Sequence, residues 1–467
     1  MKYFSTRSTA RPAVSFSDVL LAGLAPDGGL YVPDGYPELS KHALRDMSEL
    51  AYADLAYACL LPYVGDDFCK EALKQIVEAT YCQEVFPDQA VTPVESLYGS
   101  LYLQDLSQGP SLAFKDLALQ FLGRSMDYLL GKADQCLTIL GASSGDTVSA
   151  AEQALRSKSR IKVVMLTPKT GMSSFQRAQA GSILDENIFN VSIGGPFDLC
   201  QDLVKALNRD AAFKKEMFLG AVNSINWGRI VAQLVYYFKG YFSVVKTVGD
   251  PCDVVVPSGN FGNILAGYIA KRMGLPLRRL IVATNENTVL DRFFKEGVYQ
   301  KTDVQVTSSP SMDISKASNL ERFFFDLAGR DAGILAGWME AFEGSDHVDL
   351  GDSLRDKARD YGFYSGTSTH CERQRVIKAI YERCGRIIDP HTAAAIKVAQ
   401  DYREDDVPMI CMETAKPCKF EDAVEEALGF LPDRPAGFEG IEDAEQRFYD
   451  VEASEDALKT FIKKIIV

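Results

Sequence analysis

DVVVPSGNFGNILAGYIAKRMG, residues 253–274, is the stretch that decides the fold. Three consecutive valines, Val254, Val255 and Val256, read as a strand buried on both faces, and Pro257 ends it. Ser258, Gly259, Asn260, Phe261, Gly262 and Asn263 read as a turn, and an apolar helical pattern follows. Glycines let a backbone approach an anion closely, and the free N–H groups of a helix start point at it. The glycines at 259, 262 and 267 fit neither a Walker loop nor a dinucleotide fingerprint. Two readings of the local pattern remain: a phosphate cradle, or a tight turn with an asparagine cap.

The same unit recurs along the chain. CLTIL leads into GASSGDT and VSAAEQALRS; IKVVMLTP into KTGMSSFQRAQAG; ENIFNVSIGG into PFDLCQDLVKALNRD; RRLIVATNEN into TVLDRFFKEG. Strand, loop and helix in repetition predict an α/β fold built on parallel sheets. Residues 1–97 are helix-rich, with turn clusters at PDGG and PDGYP, and read as an N-terminal extension. Residues 98–135 and 225–467 are expected to form a larger unit, with 136–224 inserted as a smaller one. Ligands in such folds bind at the carboxyl ends of the strands, so the loops carry the chemistry.

TILGASSGDTVSAAEQAL, residues 138–155, offers Ser143, Ser144, Asp146 and Thr147 just before a helix. These residues either cap the helix through Asp146 or Thr147, or line a second anion site. SLAFKDLALQFLGRSMDYLL, residues 111–130, reads as an amphipathic helix with a polar stripe of Asp116, Gln120, Arg124 and Asp127. Lys115 falls off that stripe, near Ala118, Leu119, Leu122 and Met126. A lysine there either snorkels to solvent or is kept for chemistry. In RIIDPHTAAAIKVAQDY, His391 follows Pro390 at a helix start and reads as a cap or packing residue before it reads as a base. In MICMETAKPCKFEDAVEEAL, Thr414 stands at the carboxyl end of an apolar strand, as a ligand-facing hydroxyl or a turn residue.

Composition excludes several classes. A net charge of −14 disfavours a general nucleic-acid or anionic-membrane surface. The ten cysteines form no CxxC pair and the four histidines no HExxH, so no metal site is expected. Scattered cysteines read as reduced thiols of a cytoplasmic protein. The apolar run VLLAGLA is short and late for a signal peptide, and no run of about 18 apolar residues spans a membrane.

SLAFKDLALQFLG, GASSGDT, PSGNFGN, DPHTA and ETAKPCKF, in this order, resemble the threonine synthase family of pyridoxal 5'-phosphate enzymes, as do MKYFSTR and DGGLYVP near the start. The likeness runs from residue 1 to about 430. It implies the tryptophan-synthase-like fold (fold type II) and the conversion of O-phospho-L-homoserine and water to L-threonine and phosphate by β,γ-replacement, the last step of threonine biosynthesis. It implies Lys115 as the Schiff-base lysine and proton carrier. Gly259, Asn260, Phe261 and Asn263 would hold the cofactor phosphate, and Thr414 the pyridine nitrogen. Ser143, Ser144, Asp146 and Thr147 would line the substrate side. Lys169, Arg177, Lys316 and Lys416 are candidates for the substrate phosphate. One departure concerns Lys416, which stands where the family has histidine. Rival readings are a phospho-lyase or dehydratase of the same fold and a non-catalytic metabolite-binding protein. The oligomeric state stays open between monomer and homodimer.

Overall fold

The structure, a computed structural model, describes residues 1–143, 145–170 and 172–466. Its larger sheet has six strands in the order Phe363–Thr367, Leu277–Thr284, Cys252–Pro257, Met409–Glu413, Leu101–Asp105 and Val94–Tyr98. All neighbours are parallel except the last pair. Val255 pairs with Ile281 on one side and Cys411 on the other, so the carboxyl ends of these strands share one edge. Side chains alternate across the sheet: Val254 and Val256 enter the main core, whereas Val255 enters a second cluster with Ile281, Ile377 and Ile396. Burial on both faces is what the unbroken valine run predicts.

The smaller sheet is parallel throughout, in the order Tyr449–Val451, Ile188–Ile193, Ile161–Pro168, Leu137–Ala142 and Leu219–Gly220. Its outer strand corrects the sequence reading, which assigned all of 225–467 to the larger unit. Tyr449 pairs with Val191, and Leu458 and Ile462 of helix Glu455–Ile466 pack with Leu203, Leu207 and Val164. Strand Val94–Tyr98, whose first four residues the sequence reading places within the N-terminal extension, likewise belongs to the larger sheet. The remainder of that extension carries helices Phe16–Ala22, Lys41–Ser48, Tyr52–Val64 and Lys70–Thr80 and the antiparallel pair Tyr3–Ser5 with Tyr31–Pro33.

Helix Lys115–Ala133 joins the two halves, because its Leu117, Leu119 and Leu122 share one core with Ile139 and Val163 of the smaller sheet and Val254 of the larger. Its polar stripe does not face water as expected: Asp116 and Gln120 are buried. Ser111 N–H donates to Asp116 Oδ2 at 2.8 Å, and Arg124 donates to Gln120 Oε1 at 2.6 Å. Local partners let these polar groups go inside. No helix among the described residues is long and apolar enough to cross a membrane.

Candidate active site

Lys115 is placed by two chain segments running side by side. Leu112 takes a positive φ of 59°, which turns the chain so that Ala113 bridges to Ala415. Phe114 N–H then donates to Thr414 carbonyl oxygen at 2.9 Å. Lys115 therefore opens its helix directly beside the end of strand Met409–Glu413, where Thr414 is buried. The Lys115 side chain is 13% exposed, and Nζ donates to Asp146 Oδ2 at 3.3 Å.

Asp146 is the first residue of helix Asp146–Leu155, but it does not cap it. Gly145 holds the cap position, without a side-chain cap bond. The carboxylate instead gathers donors from three other segments. Gln176 Nε2 lies 2.9 Å and Lys419 Nζ 3.1 Å from Oδ1, and Ser311 Oγ lies 3.4 Å from Oδ2. Burial would raise this carboxyl, but the ammonium groups of Lys115 and Lys419 outweigh it and hold the group well below the usual carboxylate range. For Lys115 burial wins: desolvation, with repulsion from Lys419 and Arg229, lowers the amine against the attraction of Asp146. A lysine so placed is a proton acceptor closer to neutrality than a surface lysine.

The loop after strand Cys252–Pro257 lies on the same edge. Helix Gly262–Arg272 follows it with Phe261 at the cap position, at φ 64° and without a side-chain cap bond. The asparagine-cap reading is thereby replaced: the first N–H groups of this helix have no capping side chain. Asn263 Oδ1 accepts from Tyr237 hydroxyl at 2.7 Å, and its buried Nδ2 has no partner among the described residues. Ser258 Oγ is also buried without one. Asn260 carbonyl oxygen accepts from Asn319 Nδ2 at 3.2 Å. A Cβ on Gly259 would stand 2.5 Å from Ser311 carbonyl oxygen, so only glycine fits this approach.

Ser311 ties the loops together. Besides its contact with Asp146, its backbone N–H donates to His391 Nε2 at 3.1 Å, while His391 Nδ1 lies 2.7 Å from Asp389 Oδ1. Nε2 accepts, so the ring carries its hydrogen on Nδ1 and donates a hydrogen bond to Asp389. His391 thus anchors the turn that faces Gly259, and Asp389 caps helix Pro390–Tyr402. The packing reading of His391 agrees with its buried place against Phe420.

Thr147 is half-buried one residue into its helix, Ser143 Oγ accepts from Gly145 N–H at 3.3 Å, and Ser144 lies outside the described residues. The four basic candidates do not converge. Lys169 pairs with Asp450 at 2.9 Å on the surface, and Lys316 lies over Phe342. Lys416 is held by Asp105. Arg177 stacks 3.9 Å from the Phe448 ring centroid, with Nη1 buried and unpartnered. Sequence reasoning missed Gln176, Ser311 and Lys419. Lys419 stands three residues after Lys416 in the same quoted stretch, and nothing in the spacing distinguishes the interior lysine from the other.

Asp116 makes a test of the burial beneath this site. Desolvation pushes its carboxyl up to about 7. The unfolded chain ionises near the ordinary value, so this residue's contribution is present below that value and is lost as pH rises through the folded one. Asp116→Asn is expected to raise the melting temperature at about pH 8 and leave it nearly unchanged at about pH 4, with a gain of at most about 4 kcal/mol. Thermal denaturation at the two pH values checks it; an equal effect at both would refute it.

The residue set fits pyridoxal phosphate. Lys115 offers an amine for its aldehyde, and the unpaired donors of Ser258 and Asn263 with the uncapped helix start suit its phosphate. Comparison with known proteins agrees. The family "Threonine synthase N terminus" matches residues 2–81, "Pyridoxal-phosphate dependent enzyme" residues 85–371, and "Threonine synthase, C-terminal" residues 392–462. The chain is 51% identical to a threonine synthase of Methylobacillus glycogenes over 99% of both chains. It is 45% identical to that of Corynebacterium glutamicum over 99% of this chain and 98% of the relative. The solved PLP-bound threonine synthase from Brucella melitensis is similar with a TM-score of 0.96 and 38% identity, over 100% of this chain and 99% of that one. Yeast threonine synthase gives 0.94 and 35%, over 100% and 98%. The chain belongs to the threonine synthase family of pyridoxal-phosphate-dependent enzymes and has the fold of its solved members, fold type II.

Proposed function

We propose that this chain converts O-phospho-L-homoserine and water to L-threonine and phosphate, with Lys115 as the amine that moves the protons. The observation that carries the reading is the mostly enclosed Lys115 amine on Asp146, on the same edge as the donors of the Gly259 loop that have no partner among the described residues. Pyridoxal phosphate, when bound, supplies an aldehyde for the amine and an electron sink for charge at the substrate Cα. Ser258, Gly259, Asn260, Phe261 and Asn263 would hold its phosphate, and the Thr414 hydroxyl its ring nitrogen. A hydroxyl partner, unlike a carboxylate, does not favour a proton on that nitrogen.

Lys115 would take protons first at Cα and then at Cβ as the γ-phosphate leaves, return one at Cγ, and return another at Cα after water has added its hydroxyl at Cβ. Asp146 holds the amine in reach between these transfers. Ser143, Ser144 and Thr147 would face the substrate. In this reading the larger sheet, with residues 98–135 and the chain from 225, holds the cofactor groups; the smaller one, 136–224 joined by 449–466, brings the substrate-facing loop. A cytoplasmic setting is part of the same proposal, supported by ten cysteines that are all unpaired.

The test is a product count with O-phospho-L-homoserine. Threonine equal to released phosphate is expected. Phosphate accompanied by 2-oxobutyrate without threonine would replace the synthase by a lyase that uses the same lysine.

A further inference from the structure

Two ammonium groups share one carboxylate at the site, and the surrounding acceptors divide unequally between them. Lys419 Nζ has three hydrogens and three acceptors: Asp146 Oδ1 at 3.1 Å, Gln179 Oε1 at 2.8 Å and Ser111 carbonyl oxygen at 2.5 Å. Its side chain is fully buried, 0% exposed. Among the described residues Lys115 Nζ has a single partner, Asp146 Oδ2 at 3.3 Å. The cluster of two cations and one anion carries an unbalanced positive charge in a nearly dry place, which is costly unless one cation gives up its proton. Neutral Lys419 would have two hydrogens for three acceptors, whereas neutral Lys115 would still have a hydrogen for its one.

We propose that Lys419 is a positioning residue for the reaction: its fully hydrogen-bonded ammonium fixes and neutralises the Asp146 carboxylate, so that Lys115 is the cation of the pair that releases its proton. The proposal rests on the reading of Lys115 as the proton-moving amine. The other titratable and charged groups around the pair are Arg229, Asp116 and His391. Arg229, on helix Trp227–Ala232, is buried with a carbonyl contact to Val222 and with Nε unpartnered, so it brings positive charge and no anion. Asp116 accepts from Ser111 N–H; burial keeps it protonated up to about 7, and above that its charge is common to the wild type and the Lys419 variants. His391 reaches the pair only through Ser311 and Gln176 adds no charge.

The test reads the Lys115 proton directly. The full chain without cofactor is labelled with acetic anhydride across a pH series, and acetylation of Lys115 is followed by peptide mass spectrometry. With Lys419→Met the midpoint of Lys115 reactivity is expected to rise by about one pH unit, so labelling at about pH 8 falls about ten-fold. Lys419→Arg, which keeps the charge, is expected to restore most of that shift. The acid limb of kcat in the loaded enzyme should move the same way. A merely structural role would lower the amplitude and leave the midpoint in place, and an unchanged midpoint in folded Lys419→Met overturns the proposal. If that variant does not fold, Asp146→Asn decides: with the anion gone, the midpoint should fall below that of the wild type, and a midpoint that stays or rises overturns the proposal. Failure to turn over O-phospho-L-homoserine would refute the reaction while leaving this readout intact.

Discussion

Lys115→Ala is expected to abolish threonine formation, with kcat lower by at least about 10,000-fold. One side chain would lose both covalent attachment of the cofactor and the proton transfers at the substrate. The fold should survive. Lys115 is the first residue of its helix and contacts one polar partner among the described residues. Asp146 would keep Lys419, Gln176 and Ser311, so no buried charge is orphaned and the stability change stays within about 1 kcal/mol. Threonine and phosphate release, thermal denaturation and the visible absorption of the purified protein separate the two effects. A variant with more than about one-hundredth of wild-type activity would remove Lys115 from its role.

Gly259→Val is expected to weaken pyridoxal phosphate binding by about 100-fold or more, close to 3 kcal/mol. The steric cause is backbone against backbone. The new Cβ meets Ser311 carbonyl oxygen at 2.5 Å, and a main-chain atom cannot rotate out of the way. Displacing Ser311 also pulls on His391 and on Asp146, so the damage passes from the phosphate loop to the lysine side of the site. Fluorescence titration of the apoprotein with the cofactor measures it. An affinity within about three-fold of wild type would show that the loop yields without cost and that the cradle lies elsewhere.

Much of the larger architecture is legible in the residues themselves. Val254, Val255 and Val256 announce a doubly buried strand because no other element tolerates such a run so near a glycine turn. The five strand–loop–helix units read from the sequence all appear as strands followed by helices. Tyr449–Val451 escapes such a reading because three residues carry no periodicity, and its partner Ile188–Ile193 is remote in sequence. Asp116 and Gln120 read as part of a polar stripe and yet are buried, because periodicity sorts residues by type and cannot tell that Ser111 and Arg124 satisfy them. Lys115 stands out, since a lysine off the polar stripe violates the pattern. Lys419 does not, since it hides in a short turn, Pro417–Phe420, where no pattern exists to violate. Its role depends on Asp146, Gln179 and Ser111, three acceptors that only the folded chain assembles.

The pairing of Tyr449–Val451 with Ile188–Ile193 bears on how the chain is made. A ribosome delivers residues in order, so the smaller sheet emerges early but waits for its border strand until nearly the whole chain has been synthesised. Until then Ile188–Ile193 presents an unpaired, apolar edge, the kind of surface that recruits chaperones or sticks to another nascent chain. The smaller sheet is thus completed late, and a chain ending before residue 449 is expected to leave that edge open.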